Sequence, residues 1–229
     1  MFKYIKPFDT HAEYEEYLNS GMILPNVSHC ADINDVHYNP YYIPTVDLGL
    51  PSGTIWATMN LGAKSPKESG LFYQWGDTQG YTAEQVPSEK YFDWTDYKYC
   101  NGTKETLTKY NSGNAILENS DDAAYTATNG EMKIPTEAQV RELAALPHET
   151  IEGKGILFTG NNGNTLFLPF TGYYREGALV NNLAVIMTNK TSTYFWNTIF
   201  AYWNDGGYND SVNNNLGRNY GMTIRPVLA

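Results

Sequence analysis

Apolar residues come in short runs broken by Gly, Pro, Asn and Asp along most of this chain, a pattern of short strands and many turns. Val46-Asp-Leu-Gly-Leu50, a Pro-Ser-Gly turn and Thr54-Ile-Trp-Ala57 predict a hairpin, and Leu71–Trp75 a further buried strand. Residues 77–120 are polar, spotted with aromatics and weakly periodic, which reads as a long ordered insertion. The clearest helix spans 136–146. There Thr136 and Gln139 form a capping box, Val140, Leu143 and Ala144 stack on one face, and Pro147 ends the run. Beyond it, Gly155–Phe158, Asn164–Leu168, Thr193–Trp196, Ile199–Trp203 and Met222–Val227 are strand candidates separated by Gly/Asn turns. The expected class is α+β with an antiparallel sheet.

Residues 1–43 read as a separate small attachment segment, which leaves 44–229 as the main domain. The segment carries its own helix signal: Thr10 and Glu13 form a capping box, Tyr14, Tyr17 and Leu18 share a face, and Gly21 is the stop. Ile23–Ser28 and Asp35–Tyr38 resemble two short strands, and 37–44 an extended Pro/Tyr-rich linker.

Composition narrows the function classes. A net charge of -10 in 229 residues argues against nucleic-acid partners, which demand a basic patch. The opening residues lack the apolar stretch of a signal peptide, and no run approaches the ~18 apolar residues of a membrane span. The 19 Tyr point instead to recognition, because Tyr offers a large rigid contact area with a polar tip.

Candidate chemistry is sparse. Cys30 and Cys100 sit in unrelated contexts and build neither a disulfide framework nor a four-Cys zinc site. His11, His29, His37 and His148 never fall at a spacing that would place two imidazoles on one metal. Asp121, Asp122 and Glu118 could supply oxygen ligands to calcium, but a helix N-terminus also favours carboxylates there, and the helix reading is preferred. No Gly-x-Ser-x-Gly elbow occurs. No cofactor is expected.

The order of short motifs carries a resemblance. Val46-Asp-Leu-Gly-Leu-Pro-Ser-Gly-Thr-Ile-Trp-Ala57, Asn60-Leu-Gly-Ala63, Tyr73-Gln-Trp-Gly76, Asp121-Asp-Ala-Ala124, Lys133-Ile-Pro-Thr136, Phe167-Leu-Pro169 and Ile224-Arg-Pro-Val227 together resemble the Fibrobacter succinogenes major paralogous domain family. That family is common in gut Bacteroidales and their phages. The resemblance covers roughly residues 46–229. It implies a C-type-lectin-like fold of the formylglycine-generating-enzyme branch, with small antiparallel sheets, few helices and long ordered loops. The N-terminal segment resembles, more weakly, segments of Bacteroides phage structural proteins.

Members of the family include variable proteins of diversity-generating retroelements, in which template adenines are misread, typically in AAC codons. Changing the first two bases of such a codon never yields Lys, Glu, Gln, Met or Trp. Residues 1–190 hold 11 Lys, 14 Glu and 4 Gln, whereas residues 191–229 hold none of the three and are rich in Asn and Tyr. Trp196, Trp203 and Met222 are then scaffold. The residues expected to face outward and contact a ligand are Asn197, Phe200, Tyr202, Asn204, Asp205, Tyr208, Asp210, Asn213, Asn214, Asn215, Arg218 and Tyr220. Arg225 reads as structural, bridging a buried carboxylate or carbonyls.

The resemblance thus implies a non-enzymatic receptor-recognition protein of a phage tail or bacterial surface. Its expected partner is a surface protein or glycan of a host or neighbouring cell. A homo-oligomer, such as a trimer, would raise weak single-site affinity by multivalency. Two alternatives remain at this point: a divergent formylglycine-generating-type enzyme, and a structural virion or envelope module without a specific ligand. The first is disfavoured because the C-terminal region contains no Cys for thiol chemistry.

Overall fold

A computed structural model describes residues 43–204 and 211–229. The expectations for the segment 1–42 lie outside the described residues.

The N-terminal hairpin forms as its alternation predicts. β1 (Thr45–Asp47) pairs antiparallel with β2 (Ile55–Ala57), with Val46 opposite Trp56. The chain closes on this hairpin from its other end. β14 (Val227–Leu228) sets Val227 opposite both Trp56 of β2 and Lys133 of β4 (Met132–Lys133), giving a sheet of order β1-β2-β14-β4. Arg225 precedes that strand fully buried, donating from Nε to Asn60 Oδ1 at 2.9 Å and from Nη1 to the Ala57 carbonyl at 3.2 Å. It ties the C-terminal stretch to the end of β2 and to Asn60 just beyond it.

The remaining sheets are also small and antiparallel. β3 (Phe72–Tyr73) pairs with β13 (Met222–Thr223), and β5 (His148–Ile151), β6 (Gly155–Thr159) and β7 (Thr165–Pro169) form a meander. β8 (Tyr173–Arg175) and β9 (Ala178–Val180) form a hairpin, and β10 (Leu183–Thr191), β11 (Asn197–Asn204) and β12 (Ser211–Gly217) form the longest sheet. Thr193–Trp196, expected as a strand, is instead the turn between β10 and β11.

The β10-β11-β12 sheet is covered on both faces. Ala184, Ile186, Ala201 and Trp203 join one apolar cluster with Trp56, Val140, Leu143, Phe158 and Leu166, while Val185, Met187, Phe200 and Leu216 join another with Tyr73, Trp75, Ile134 and Met222. This corrects the expectation that Phe200 of β11 faces outward. Residues 199–201 are buried consecutively, which a strand shows only when both faces are packed.

The predicted helix is observed over Glu137–Ala144, buries Val140 and Leu143, and packs against β10, β11 and β12. Its capping box is complete: Gln139 N donates to Thr136 Oγ1 at 3.3 Å and Thr136 N to Gln139 Oε1 at 2.9 Å. Thr136→Ala is expected to cost about 1 kcal/mol in a urea titration, and an unchanged midpoint would show that packing alone holds the helix.

The insertion 77–120 has no regular sheet or α-helix, and its backbone is satisfied by turn bonds between main-chain groups together with side chains. The Asp96 carboxylate accepts from the amides of Tyr91 at 2.7 Å, Phe92 at 2.9 Å and Asp93 at 3.2 Å. Lys90, buried against the Tyr81 and Phe92 rings, donates to the Asp96 carbonyl at 2.7 Å.

Candidate binding face

The twelve residues expected to contact a ligand separate once placed on this frame. Asp205, Tyr208 and Asp210 lie outside the described residues. Asn213, Asn214 and Asn215 are strand residues of β12, with Asn213 opposite Phe200 by register. Asn197 opens β11 and Asn204 ends it, seven residues apart, which separates them by roughly 23 Å along an extended strand.

Among the candidates whose side chains are described, two face inward. Phe200 is 4% exposed, stacked on Tyr202 at 5.6 Å inside the second cluster. Arg218 is fully buried. It donates from Nη1 to the carbonyls of Tyr110 (2.7 Å) and Phe195 (3.1 Å) and from Nη2 to that of Lys109 (2.7 Å), with its guanidinium over the Trp75 and Tyr97 rings. A guanidinium whose donors hold three carbonyls acts as a clamp between the insertion and the β10–β11 turn. Both residues leave the contact set. Trp203 and Met222 are buried, as scaffold positions should be, whereas Trp196 sits half-exposed on the turn.

What the fold does bring together is a group of tyrosines. Tyr202 and Tyr220 are both half-buried at the margin of the second cluster, and Tyr173 of β8 joins them. The Tyr173 and Tyr220 rings stack at 5.7 Å and 9°, and the Arg175 guanidinium lies 5.5 Å from the Tyr220 ring centre. Burial raises the pKa of the Tyr173 phenol, as do the nearby hydroxyls of Tyr220 and Tyr202, while Arg175 lowers it. Tyr220 is likewise raised, mainly by burial. Both phenols therefore stay protonated at neutral pH, able to donate and accept hydrogen bonds.

Local geometry explains the placement. Glu176 and Gly177 both have positive φ, 50° and 74°, the requirement of the tight turn that closes the β8–β9 hairpin. The turn is docked on the insertion through Gly177 N to Tyr91 O at 2.6 Å and Glu176 N to Phe92 O at 3.2 Å. Tyr173 and Arg175 then share one face of β8, and Tyr174 takes the other against Phe72 and Phe92. Tyr174 also pairs with Gly221, which sets Tyr220 beside Tyr173. Only glycine fits at 221, since a Cβ would come within 2.7 Å of the buried Phe92 ring.

No protein-family model, curated protein or solved structure matches this chain.

Tyr173 and Arg175 were not singled out by sequence reasoning, and Gly177 between two short runs was the one local turn signal there. A second aromatic group, also missed, occupies the β10–β11 turn: Tyr194 is 57% exposed, its ring is 5.5 Å from Trp196, and Lys104 Nζ lies 5.6 Å from the Trp196 ring.

The acidic residues weighed for calcium are otherwise engaged. Asp122 caps the helix Ala123–Ala127, accepting from Tyr125 N at 3.0 Å, and also accepts from Ile134 N. The buried Asp121 accepts from Lys109 Nζ at 2.6 Å and from the Tyr110 hydroxyl at 2.7 Å, and also from the Tyr99 hydroxyl. Among the described residues no group of three His, Cys, Asp or Glu could hold a metal ion, and no helix is long and apolar enough to cross a membrane. Cys100 is a free, half-buried thiol bonded to the Trp94 carbonyl.

Proposed function

We propose that this chain is a ligand-binding protein of the C-type-lectin-like kind, similar to the variable proteins of diversity-generating retroelements, serving receptor recognition on a phage tail or bacterial surface. The fold component rests on the seven ordered motifs together with small antiparallel sheets, few helices and a long ordered insertion. The variability component rests on residues 191–229, where Asn and Tyr abound and Lys, Glu and Gln are missing.

The observation that carries the binding reading is the convergence of Tyr173, Tyr202 and Tyr220 at the margin of a packed cluster. Rigid tyrosines whose lower edges are packed lose little further entropy on contact, and their ring faces and hydroxyls serve many partners. Tyr202 and Tyr220 can change without emptying the core, because neither is fully buried.

The test is binding of fluorescently labelled protein to a panel of intact Bacteroidales cells, read by flow cytometry. Wild type is expected to stain particular strains, and the double variant Tyr202→Asn/Tyr220→Asn to lose at least about tenfold in apparent affinity while still unfolding cooperatively. Equal staining by both proteins would end the reading. Flanking DNA supplies the test of variability: a near-identical repeat differing only at template adenines is expected beside a reverse-transcriptase gene.

A further inference from the structure

We propose that the tyrosine face takes a sugar bearing a carboxylate, with Arg175 as the residue that recognises the anion and the Tyr173–Tyr220 pair as the stacking platform. The inference rests on the binding reading above and names the chemistry of its ligand.

Arg175 is the cation at this face in a chain whose net charge is -10. Among the described residues its side chain donates only from Nε, to Glu176 Oε1 at 3.4 Å, and both partners are more than half exposed. Such a surface pair contributes little and leaves the two terminal nitrogens for another acceptor. The guanidinium is already oriented by lying over the Tyr220 ring, so part of the ordering cost of a two-pronged contact with a carboxylate is met before the ligand arrives.

The aromatic part of the face argues for a sugar over an acidic peptide. Tight protein contacts are anchored by side chains that enter fully desolvated pockets. Here the rings of Tyr173 and Tyr220 are stacked on each other and both residues are half-buried, while Val180, opposite Tyr173, is 37% exposed, so the face meets solvent as a flat aromatic edge. Protonated phenols that both donate and accept match sugar hydroxyls, and the outer face of the Tyr173–Tyr220 stack matches the C–H side of a pyranose. Arg175 lies on the same face of β8 as Tyr173, close enough for one sugar ring to meet both.

Saturation-transfer NMR on the full chain tests this with glucuronic acid and N-acetylneuraminic acid, against glucose and N-acetylgalactosamine as neutral sugars. The acids are expected to bind at least about fivefold more tightly than the neutral sugars and to weaken as salt rises. Arg175→Ala is expected to abolish the preference and Arg175→Lys to retain part of it, since a point charge replaces a fork. Tyr173→Phe checks folding and stacking while removing one hydroxyl. Equal binding of neutral and acidic sugars, an unaltered preference in Arg175→Ala, or tighter binding of a Glu/Asp-rich peptide than of either acid would overturn the proposal. If neither acid binds while Tyr-dependent staining of intact cells persists, the sugar assignment fails and the binding reading stands. If staining too is independent of Tyr202 and Tyr220, both fail.

Discussion

Replacing Trp203 with alanine is expected to lower the unfolding free energy by about 3–5 kcal/mol, the range for emptying a buried aromatic site. Trp203 is 2% exposed, meets Phe158 edge-on at 5.1 Å, and lies in the cluster with Val140, Leu143 and Leu166, so the helix, the meander and β11 all lose a shared contact. Trp203→Phe separates volume from chemistry. The indole Nε1 is buried and has no hydrogen-bond partner among the described residues, so phenylalanine removes an unmet donor while keeping most of the ring. Its expected cost is below about 1.5 kcal/mol. Urea titrations of both variants decide the matter, and a cost for Trp203→Ala near that of a surface change would mean that β11 is not held from this side.

Asp121→Asn is expected to cost about 2–3 kcal/mol at neutral pH. Burial alone would raise this carboxyl, but Lys109 and the hydroxyls of Tyr99 and Tyr110 outweigh it and bring its pKa from 3.8 to about 2. A depressed carboxylate stabilises the fold above its unfolded value, and the contribution is lost as pH falls from about 4 through about 2. The gap between wild type and Asp121→Asn should therefore be full at pH 7 and close towards pH 2. A gap that stayed constant over that range would assign the loss to shape and not to charge. Because Asp121 joins residues 99, 109 and 110 to the turn before the helix Ala123–Ala127, hydrogen exchange in the insertion should rise in the variant.

Several elements were legible because their causes are local. The helix Glu137–Ala144 announced itself through Thr136, Gln139 and the spacing of Val140 and Leu143, and the β1–β2 hairpin through alternation around Pro-Ser-Gly. The role of Asp122 as a cap was readable for the same reason: the amide that donates to it, Tyr125 N, lies only three residues on. By contrast β10 was not foreseen. Its Leu183–Met187 run does not alternate, since both faces of the sheet are packed, and such a run carries no period that marks a strand.

The candidate face was legible only in part. Tyr202 and Tyr220 were named from composition and family resemblance, and the fold sets both beside Tyr173. Phe200 was misplaced because alternation distinguishes two faces of a strand without saying whether either meets solvent. Arg218 was misplaced because a charge is expected outside unless acceptors surround it, and two of its three acceptors, the carbonyls of Lys109 and Tyr110, come from more than a hundred residues away. The sequence by itself determined the helix, the first hairpin and the aromatic, Asn-rich character of the C-terminal stretch, all of which depend on neighbours a few residues apart. Which of those residues are buried, and that Arg175 and Tyr173 meet Tyr220, was decided by tertiary structure alone, because contacts between distant segments leave no period in the chain.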